Sequence, residues 1–163
     1  MAETTYDILL SRLAALCSQK EKCGHDAYEY LAKKGLPPDQ CNRAVDYLIE
    51  NQFINNSRFA EAFALDKARF DKWGKNKIAV ALALKKIDQA TIQKALDSIP
   101  DDLQKETIAT ETAKKARQIK DLSTPQAKAK LIRFCAARGY PSSISINIID
   151  NIINNYKAQT YNT

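Results

Sequence analysis

The sequence predicts an all-α fold in which three helix-turn-helix-like units of three helices follow one another in an elongated stack that can curve. The 163 residues include only four Gly and five Pro, too few for the many turns of a β-rich chain. Apolar residues recur at the spacing of helices rather than strands. The apolar pattern also repeats at a period of about 50 residues, which is typical of helical repeat proteins.

Three helices are predicted before residue 55. The first has an apolar stripe formed by Tyr6, Leu9, Leu10, Leu13, Leu16 and Cys17. The second runs from about Gly24 to Lys34 and ends at Gly35, a residue suited to terminating a helix. The third starts after Pro37-Pro38, because proline suits the first helical turn. Its stripe consists of Cys41, Ala44, Val45, Leu48 and Ile49.

The pattern recurs in the next segment. Asn55-Asn56-Ser57 offers a cap for a fourth helix. One face of this helix is predicted to carry Phe59, Phe63 and Phe70, and Gly74 ends it. A short fifth helix is marked by Ile78 and Leu82, and a sixth by Ile92, Ala95, Leu96 and Ile99.

A third cycle completes the chain. A long seventh helix follows Pro100, with Asp101-Asp102 expected to cap it. The eighth is opened by Thr124-Pro125 and closed by Gly139. The ninth carries Ile144, Ile148, Ile149, Ile152, Ile153 and Tyr156, at helical spacing although isoleucine is a weak helix former. The predicted units are therefore residues 1–54, 55–100 and 101–157, followed by a frayed polar tail over 158–163.

The three units can be superposed on one register. Gly35, Lys86 and Gly139 are taken as the end of each unit's middle helix. Four apolar columns then coincide: Leu31, Leu82 and Cys135; Ala44, Ala95 and Ile148; Val45, Leu96 and Ile149; Leu48, Ile99 and Ile152. Units this small must share apolar surface with their neighbours, which is why we expect a stack.

The sequence indicates neither an enzyme nor a cofactor site. His25 is the single histidine and has no orienting carboxylate beyond the adjacent Asp26, as a catalytic pair would need. A Gly-rich phosphate loop is also missing. His25 could be combined with Cys17, Cys23 and Cys41 into a metal site, but zinc sites favour closely paired ligands. We therefore interpret the cysteines as buried, reduced thiols.

Localisation follows from what the sequence lacks. No stretch approaches the roughly 18 consecutive apolar residues of a membrane span. The N-terminus MAETTYDILLSRL has an acidic start instead of a secretory signal pattern. We expect a cytoplasmic monomer that does not bind membranes.

The charge is basic and unevenly distributed. The formal charge is +6, from 25 Lys and Arg against 19 Asp and Glu, which suggests acidic partners such as nucleic acid. Residues 1–54 carry −2, whereas residues 55–100 and 101–163 carry +4 each. For any single lysine, the solvated face of an amphipathic helix is the better explanation. Residues 55–100 and 101–163 each contain a cluster of basic residues, and the two clusters lie at matched positions of the repeat. Together they favour an anion-binding surface.

The repeat register identifies the candidate binding residues. Lys77 and Lys130 occupy one position of the repeat, where the first unit has Asp26. Two basic strips are predicted, one on the fifth helix and one on the fourth: Lys77, Ala81 and Lys85, and Arg58, Arg69 and Lys72. Trp73 either stacks on a base or packs as a wedge between these helices. The full candidate set is Arg58, Arg69, Lys72, Trp73, Lys75, Lys77, Lys85, Lys130, Arg133 and Arg138.

The stretch from Phe53 to Ile99 resembles the RecX family, bacterial regulators of the RecA recombinase. The elements that carry the resemblance are Arg58-Phe59-Ala60, Lys72-Trp73-Gly74-Lys75, Lys77-Ile78 and Leu82. Similar elements in the third unit are Lys130-Leu131, Arg133-Phe134 and Ala137-Arg138-Gly139-Tyr140. The similarity extends over about residues 13–150. Lys86 stands where the family usually has glycine, and Cys23 and Asp26 stand where it often has Ser and Glu.

This resemblance implies a protein of homologous recombination, DNA repair and the SOS response that lies in the groove of the RecA–single-stranded DNA filament. There it would inhibit filament growth, ATP turnover and strand exchange. Its basic residues would contact the phosphates of single-stranded or duplex DNA, or acidic RecA surface, as charge partners rather than base readers.

Two other functions fit the same sequence. The first is an autonomous DNA-binding protein with a helix-turn-helix fold. Sequence-specific readout favours Arg, Asn or Gln along one exposed helix, whereas the fifth helix presents Lys77, Ala81 and Lys85. The second is a helical-repeat scaffold for another protein, in which charge serves only solubility.

Overall fold

The computed structural model describes residues 2–163, and this range is all-helical, as predicted. The helices are α1 (Thr5–Gln19), α2 (Gly24–Lys33), α3 (Pro38–Glu50), α4 (Asn56–Arg69), α5 (Lys75–Leu84), α6 (Gln89–Asp97), α7 (Asp101–Ala116), α8 (Pro125–Ala137) and α9 (Ser142–Tyr161). Within residues 2–163, none of these helices combines the length and apolar character needed to cross a membrane.

Capping side chains explain where several helices begin. At α1, the Thr4 hydroxyl accepts a hydrogen bond from the Asp7 amide over 3.2 Å, and the Asp7 carboxylate accepts one from the Thr4 amide over 3.2 Å. At α2, the Cys23 sulfur takes the capping role and lies 3.5 Å from the Asp26 amide. The prediction that Asp101-Asp102 caps α7 is wrong. Pro100 is the N-cap, and Asp101 lies in the first turn, where its carboxylate complements the helix dipole.

The three middle helices end in the same way, which confirms the helical repeat. Gly35, Lys86 and Gly139 have positive φ angles of 94°, 62° and 81°. In each case the next amide donates to the carbonyl five residues earlier: Leu36 to Leu31 (3.2 Å), Ile87 to Leu82 (3.2 Å) and Tyr140 to Cys135 (3.0 Å). These are the bonds of a Schellman turn, in which one residue must adopt the left-handed conformation.

The chain forms two compact units, and the boundary between them passes through α4, α5 and α6. The first unit comprises the residues up to Phe63 together with Leu82–Ala95, and the second comprises Ala64–Ala81 with Leu96–Thr163. A cluster in the first contains Leu9, Leu13, Ala27, Leu31, Leu36, Cys41, Ala44, Leu48 and Ile54. One in the second contains Ile108, Ala116, Leu122, Ala127, Leu131, Cys135, Tyr140, Ile149 and Ile153.

Two side chains expected on α4, Phe70 and Lys72, lie beyond the end of the helix, whereas Phe59 and Phe63 lie on it. Phe59 is buried and packs on Phe63, with ring centroids 5.6 Å apart. Phe70 does not continue this face, because α4 ends at Arg69 and the Phe70 side chain is 78% exposed. Lys72 also lies beyond the helix, in a turn with φ 60°. The predictions that Phe70 shares the Phe face and that Lys72 extends a strip along α4 are wrong.

Three of the four cysteines are buried, and the last helix extends into the C-terminal segment. Cys23, Cys41 and Cys135 are buried free thiols, whereas Cys17 is only partly buried. Residues 2–163 contain no group of His, Cys, Asp and Glu side chains arranged to hold a metal ion. The ninth helix continues past Tyr156 to Tyr161, and the polar residues of this last part are exposed.

Candidate anion-binding surface

The turn between α4 and α5 is bonded to the turn between α8 and α9, both in the second compact unit. We call residues 72–77 and 138–140 together the turn junction. The Gly74 amide donates to the Arg138 carbonyl over 2.7 Å, and the Asn76 amide donates to the Gly139 carbonyl over 3.0 Å. The Tyr140 hydroxyl donates to the Lys72 carbonyl over 2.7 Å. Three hydrogen bonds therefore fix the backbone that carries Lys72, Lys75, Lys77 and Arg138.

Glycine is required on both sides of the turn junction. A Cβ on Gly74 would lie 2.3 Å from the Gly139 carbonyl oxygen. A Cβ on Gly139 would lie 2.3 Å from both the amide nitrogen and the Cβ of Lys77. The carbonyls at the end of α8 thus occupy amides at the start of α5, so this helix N-terminus is engaged by backbone rather than open to a phosphate.

Trp73 is the aromatic centre of the turn junction. The ammonium nitrogens of Lys67 and Lys77 lie 4.7 Å and 4.5 Å from its ring centroid, within the range of cation–π attraction. The ring is partly buried and lines a small cavity together with Ala68, Lys75, Ile99, Leu103, Gln104, Thr107 and Tyr140. The partly buried indole thus holds two lysine side chains beside it.

Two cations of the turn junction have carboxylates at long range. The Lys75 ammonium lies 3.9 Å from a carboxylate oxygen of Asp101. Arg138 lies 3.9 Å from Glu111 and stacks its guanidinium 5.1 Å from the Phe134 ring centroid. Charge-assisted hydrogen bonds are about 2.7–2.9 Å long, so these contacts leave hydrogen-bonding capacity for a further anion.

The remaining candidates of the second unit carry unpaired charge. Arg69, Lys130 and Arg133 are exposed, and Lys72 is partly exposed. No ion pair within residues 2–163 involves any of these four side chains. Asp71, the one acidic residue between Lys67 and Lys86, pairs with Lys67 over 2.9 Å. The unit therefore presents cations without local neutralisation.

The two candidates in the first compact unit are neutralised. The Lys85 ammonium donates to both oxygens of Asp26, over 2.9 and 2.8 Å, and lies 5.8 Å from the Phe59 ring centroid. Arg58 donates to Glu21 over 3.0 Å and to the Gln52 carbonyl over 3.1 Å. These carboxylates offset the positive charge that an external anion would need.

The structure therefore groups the ten candidates unevenly. Lys72, Trp73, Lys75, Lys77 and Arg138 meet at the turn junction, whereas Lys130 and Arg133 are exposed on α8 and Arg69 ends α4. The predicted strip along α5 stops short of Lys85, because the helix ends at Leu84. Sequence reasoning missed Glu21 and Asp26 as partners. Asp26 could have been found, since it is the acidic residue at the repeat position of Lys77 and Lys130.

Tyr140 is the other residue that sequence reasoning did not place in the site. Its side chain is buried, and burial raises the pKa of its phenol to about 12. The hydroxyl is therefore protonated at neutral pH and is the donor of the bond to the Lys72 carbonyl. The Gly-Tyr pair after α8 was the signal, since a buried tyrosine hydroxyl requires a partner.

Two family models match this chain. The model described as "RecX, second three-helix domain" matches residues 55–96, and "RecX, third three-helix domain" matches residues 102–146. The ten candidate residues all lie within these two ranges.

Curated relatives agree with the family models. A regulatory protein RecX of Chromobacterium violaceum is 30% identical over 137 residues, which cover 83% of this chain and 85% of that protein. One from Clostridium perfringens strain 13 is 29% identical over 127 residues, covering 77% of this chain and 59% of that protein. One from Bacillus pumilus is 28% identical, covering 77% and 46%. The chain thus spans about half the length of several relatives that it matches.

Solved structures show the same fold. A crystal structure of a regulatory protein RecX matches with a TM-score of 0.79 at 20% identity, covering 89% of this chain and 71% of that chain. RecX from Lactobacillus salivarius matches with a TM-score of 0.75 at 20% identity, covering 90% and 95%. The sequence matches to both three-helix domains and the 30% identity to the Chromobacterium violaceum protein show that the chain belongs to the RecX family of regulatory proteins.

Proposed function

We propose that this chain is a regulator that binds the RecA–single-stranded DNA filament and inhibits its ATPase, its extension and strand exchange. The observation that carries the proposal is the set of unpaired cations around the turn junction, in a chain of the RecX family. A filament of protein and nucleic acid presents phosphates and acidic side chains, which are the groups that such a surface attracts.

The proposed contact residues take different roles. Lys72, Lys75, Lys77 and Arg138 are held by the turn junction and engage anions at a fixed position. Arg69, Lys130 and Arg133 add exposed charge, and Trp73 positions Lys77. Arg58 and Lys85 contribute less, because Glu21 and Asp26 already neutralise them. We further propose that the chain works as a cytoplasmic monomer of three domains, over residues 1–54, 55–100 and 101–157.

The test is RecA-catalysed ATP hydrolysis on single-stranded DNA, with this chain added at sub-stoichiometric ratios. We expect hydrolysis to fall. A triple variant, Lys72→Glu, Lys130→Glu and Arg133→Glu, should shift the inhibition midpoint at least tenfold higher. The matched control is Lys20→Glu, Lys33→Glu and Lys34→Glu, which makes the same change in net charge within the first unit. Unchanged hydrolysis with the cognate RecA at a one-to-one ratio would overturn the proposal.

An autonomous helix-turn-helix protein is the second candidate function. The outward side of α5 argues against it, since Asn76 is followed there by Val80, Ala83 and Leu84, all exposed. Aliphatic side chains offer no hydrogen bonds to base edges. Tight, sequence-selective binding to duplex DNA without RecA would instead support this candidate.

A further inference from the structure

The helix α5 buries one face and exposes another that is almost entirely apolar. Ile78 and Leu82 are fully buried, as expected for the core stripe. We call Asn76, Val80, Ala83 and Leu84 the outer face of α5, because their spacing of four, seven and eight residues places them along one side of a helix. Because α5 is continuous, helix geometry alone defines this face.

The exposure on this face is unusual for aliphatic residues. Val80 is 62% exposed and Leu84 is 71% exposed, more than any other large aliphatic side chain of residues 2–163. Phe70, just before α5, is 78% exposed. An exposed apolar side chain gains free energy only when another apolar surface covers it. A phosphate backbone provides no such surface, so the anion-binding residues do not account for these side chains.

The surroundings of the outer face indicate the chemistry of what covers it. Lys75 and Lys77 flank Asn76, the first residue of the face, and Lys86 follows Leu84 in the exposed turn. The sequence has no acidic residue from Lys72 to Ile87. A complementary surface therefore has an apolar patch bordered by carboxylates, which is a property of proteins and not of nucleic acids.

We propose that the outer face of α5 is the protein-binding surface of this chain, and that Val80 and Leu84 pack on an apolar, acid-bordered patch of the protein subunits in the filament. This inference rests on the proposed function and assigns two separate binding roles within it. The cations of the turn junction engage anionic groups, and the outer face of α5 contacts protein.

The test uses the full chain with Val80→Gln and Leu84→Gln together. Glutamine is a good helix former and both positions are exposed, so the double variant should fold as well as the wild type. The matched control is Ile146→Gln with Tyr161→Gln, two exposed apolar residues of α9. Binding is measured by interferometry on immobilised single-stranded DNA, either bare or coated with RecA, and thermal unfolding checks each variant.

We expect the Val80→Gln/Leu84→Gln variant to bind coated DNA at least tenfold more weakly than the wild type, about 1.4 kcal/mol or more. Its binding to bare DNA should stay within about twofold, and the α9 control should match the wild type on both. Wild-type affinity of the α5 variant for coated DNA overturns the inference and leaves the proposed function standing. An equal loss on bare and coated DNA assigns the face to nucleic acid and also overturns it. Failure of the wild-type chain to bind the RecA-coated DNA overturns the proposed function itself.

Discussion

Gly74 and Gly139 approach so closely that a Cβ on Gly74 would lie 2.3 Å from the Gly139 carbonyl oxygen. They are separated by more than sixty residues and belong to turns of different three-helix repeats. Their backbones also share hydrogen bonds, because the Gly74 amide binds the Arg138 carbonyl and the Asn76 amide binds that of Gly139. The position of the basic residues around Trp73 thus depends on two residues that have no side chain.

Gly74→Ala should destabilise the fold by about 2–4 kcal/mol, because the added methyl meets backbone that cannot move without breaking the turn junction. Gly139→Ala should cost at least as much, since its φ of 81° adds strain. The control is Gly35→Ala, at the same repeat position, where a Cβ would meet nothing within 4 Å. Urea unfolding measures all three, and equal losses at Gly35 and Gly139 would contradict the close-contact explanation.

Tyr140→Phe should lower the free energy of unfolding by about 1 kcal/mol through loss of the hydrogen bond to the Lys72 carbonyl. The pH dependence is the sharper readout. The pKa of Tyr140 is about 12 when folded, above its ordinary value of 10.0, so folding favours the protonated phenol. Its contribution is full below about pH 10 and is lost as the pH rises through 12. Tyr140→Phe should therefore weaken the alkaline loss of stability, measured by unfolding at pH 9 to 12.

The sequence was most informative where periodicity and turn chemistry agree. The ends of the three middle helices were aligned on Gly35, Lys86 and Gly139, and all three have positive φ. The column formed by Leu31, Leu82 and Cys135 is buried to 1% exposure or less. Schellman turns and apolar stripes are local properties, so the fold class and the register could be derived from a single chain.

The pairing of the charges could not be derived in the same way. The charge of Lys85 is paired by Asp26, 59 residues earlier, and the charge of Arg58 is paired by Glu21, 37 residues earlier. The turn junction likewise joins segments more than sixty residues apart. Such contacts are set by how helices pack rather than by spacing. The sequence therefore predicts which residues are basic, but not which of them remain unpaired.

Cations without a carboxylate partner should dominate the salt dependence of DNA binding. Lys72→Gln, Lys130→Gln and Arg133→Gln should each reduce the slope of log affinity against log salt by about 0.7 on single-stranded DNA, the value for one phosphate contact. Arg58→Gln and Lys85→Gln should leave the slope unchanged, because each cation is already bonded to a carboxylate. Titrations at several salt concentrations decide this. Equal effects at Lys85 and Lys130 would show that Asp26 does not neutralise Lys85.

Lys86→Gly should stabilise the chain by up to about 1 kcal/mol, because Lys86 holds φ at 62°, a conformation that glycine adopts without strain. The reciprocal change, Gly35→Lys, places lysine at the equivalent position and should destabilise by a similar amount. A Cβ on Gly35 meets no atom within 4 Å, so the φ angle of 94° is the sole source of strain there. Thermal unfolding of both variants measures the difference. A loss of stability in Lys86→Gly would show that the lysine side chain stabilises this turn.

Alkylation should distinguish Cys17 from the other three cysteines. Burial raises the pKa of the Cys23 and Cys41 thiols, and the side chains of Cys23, Cys41 and Cys135 are almost inaccessible. Burial also raises the pKa of Cys17, but this thiol is partly exposed and can meet a reagent in the folded state. With iodoacetamide at pH 8, mass spectrometry should find one fast modification, at Cys17, and three that appear at the rate of local or global unfolding. Cys17→Ser should abolish the fast phase, whereas rapid labelling of Cys23 would show that the α2 cap opens in the native state.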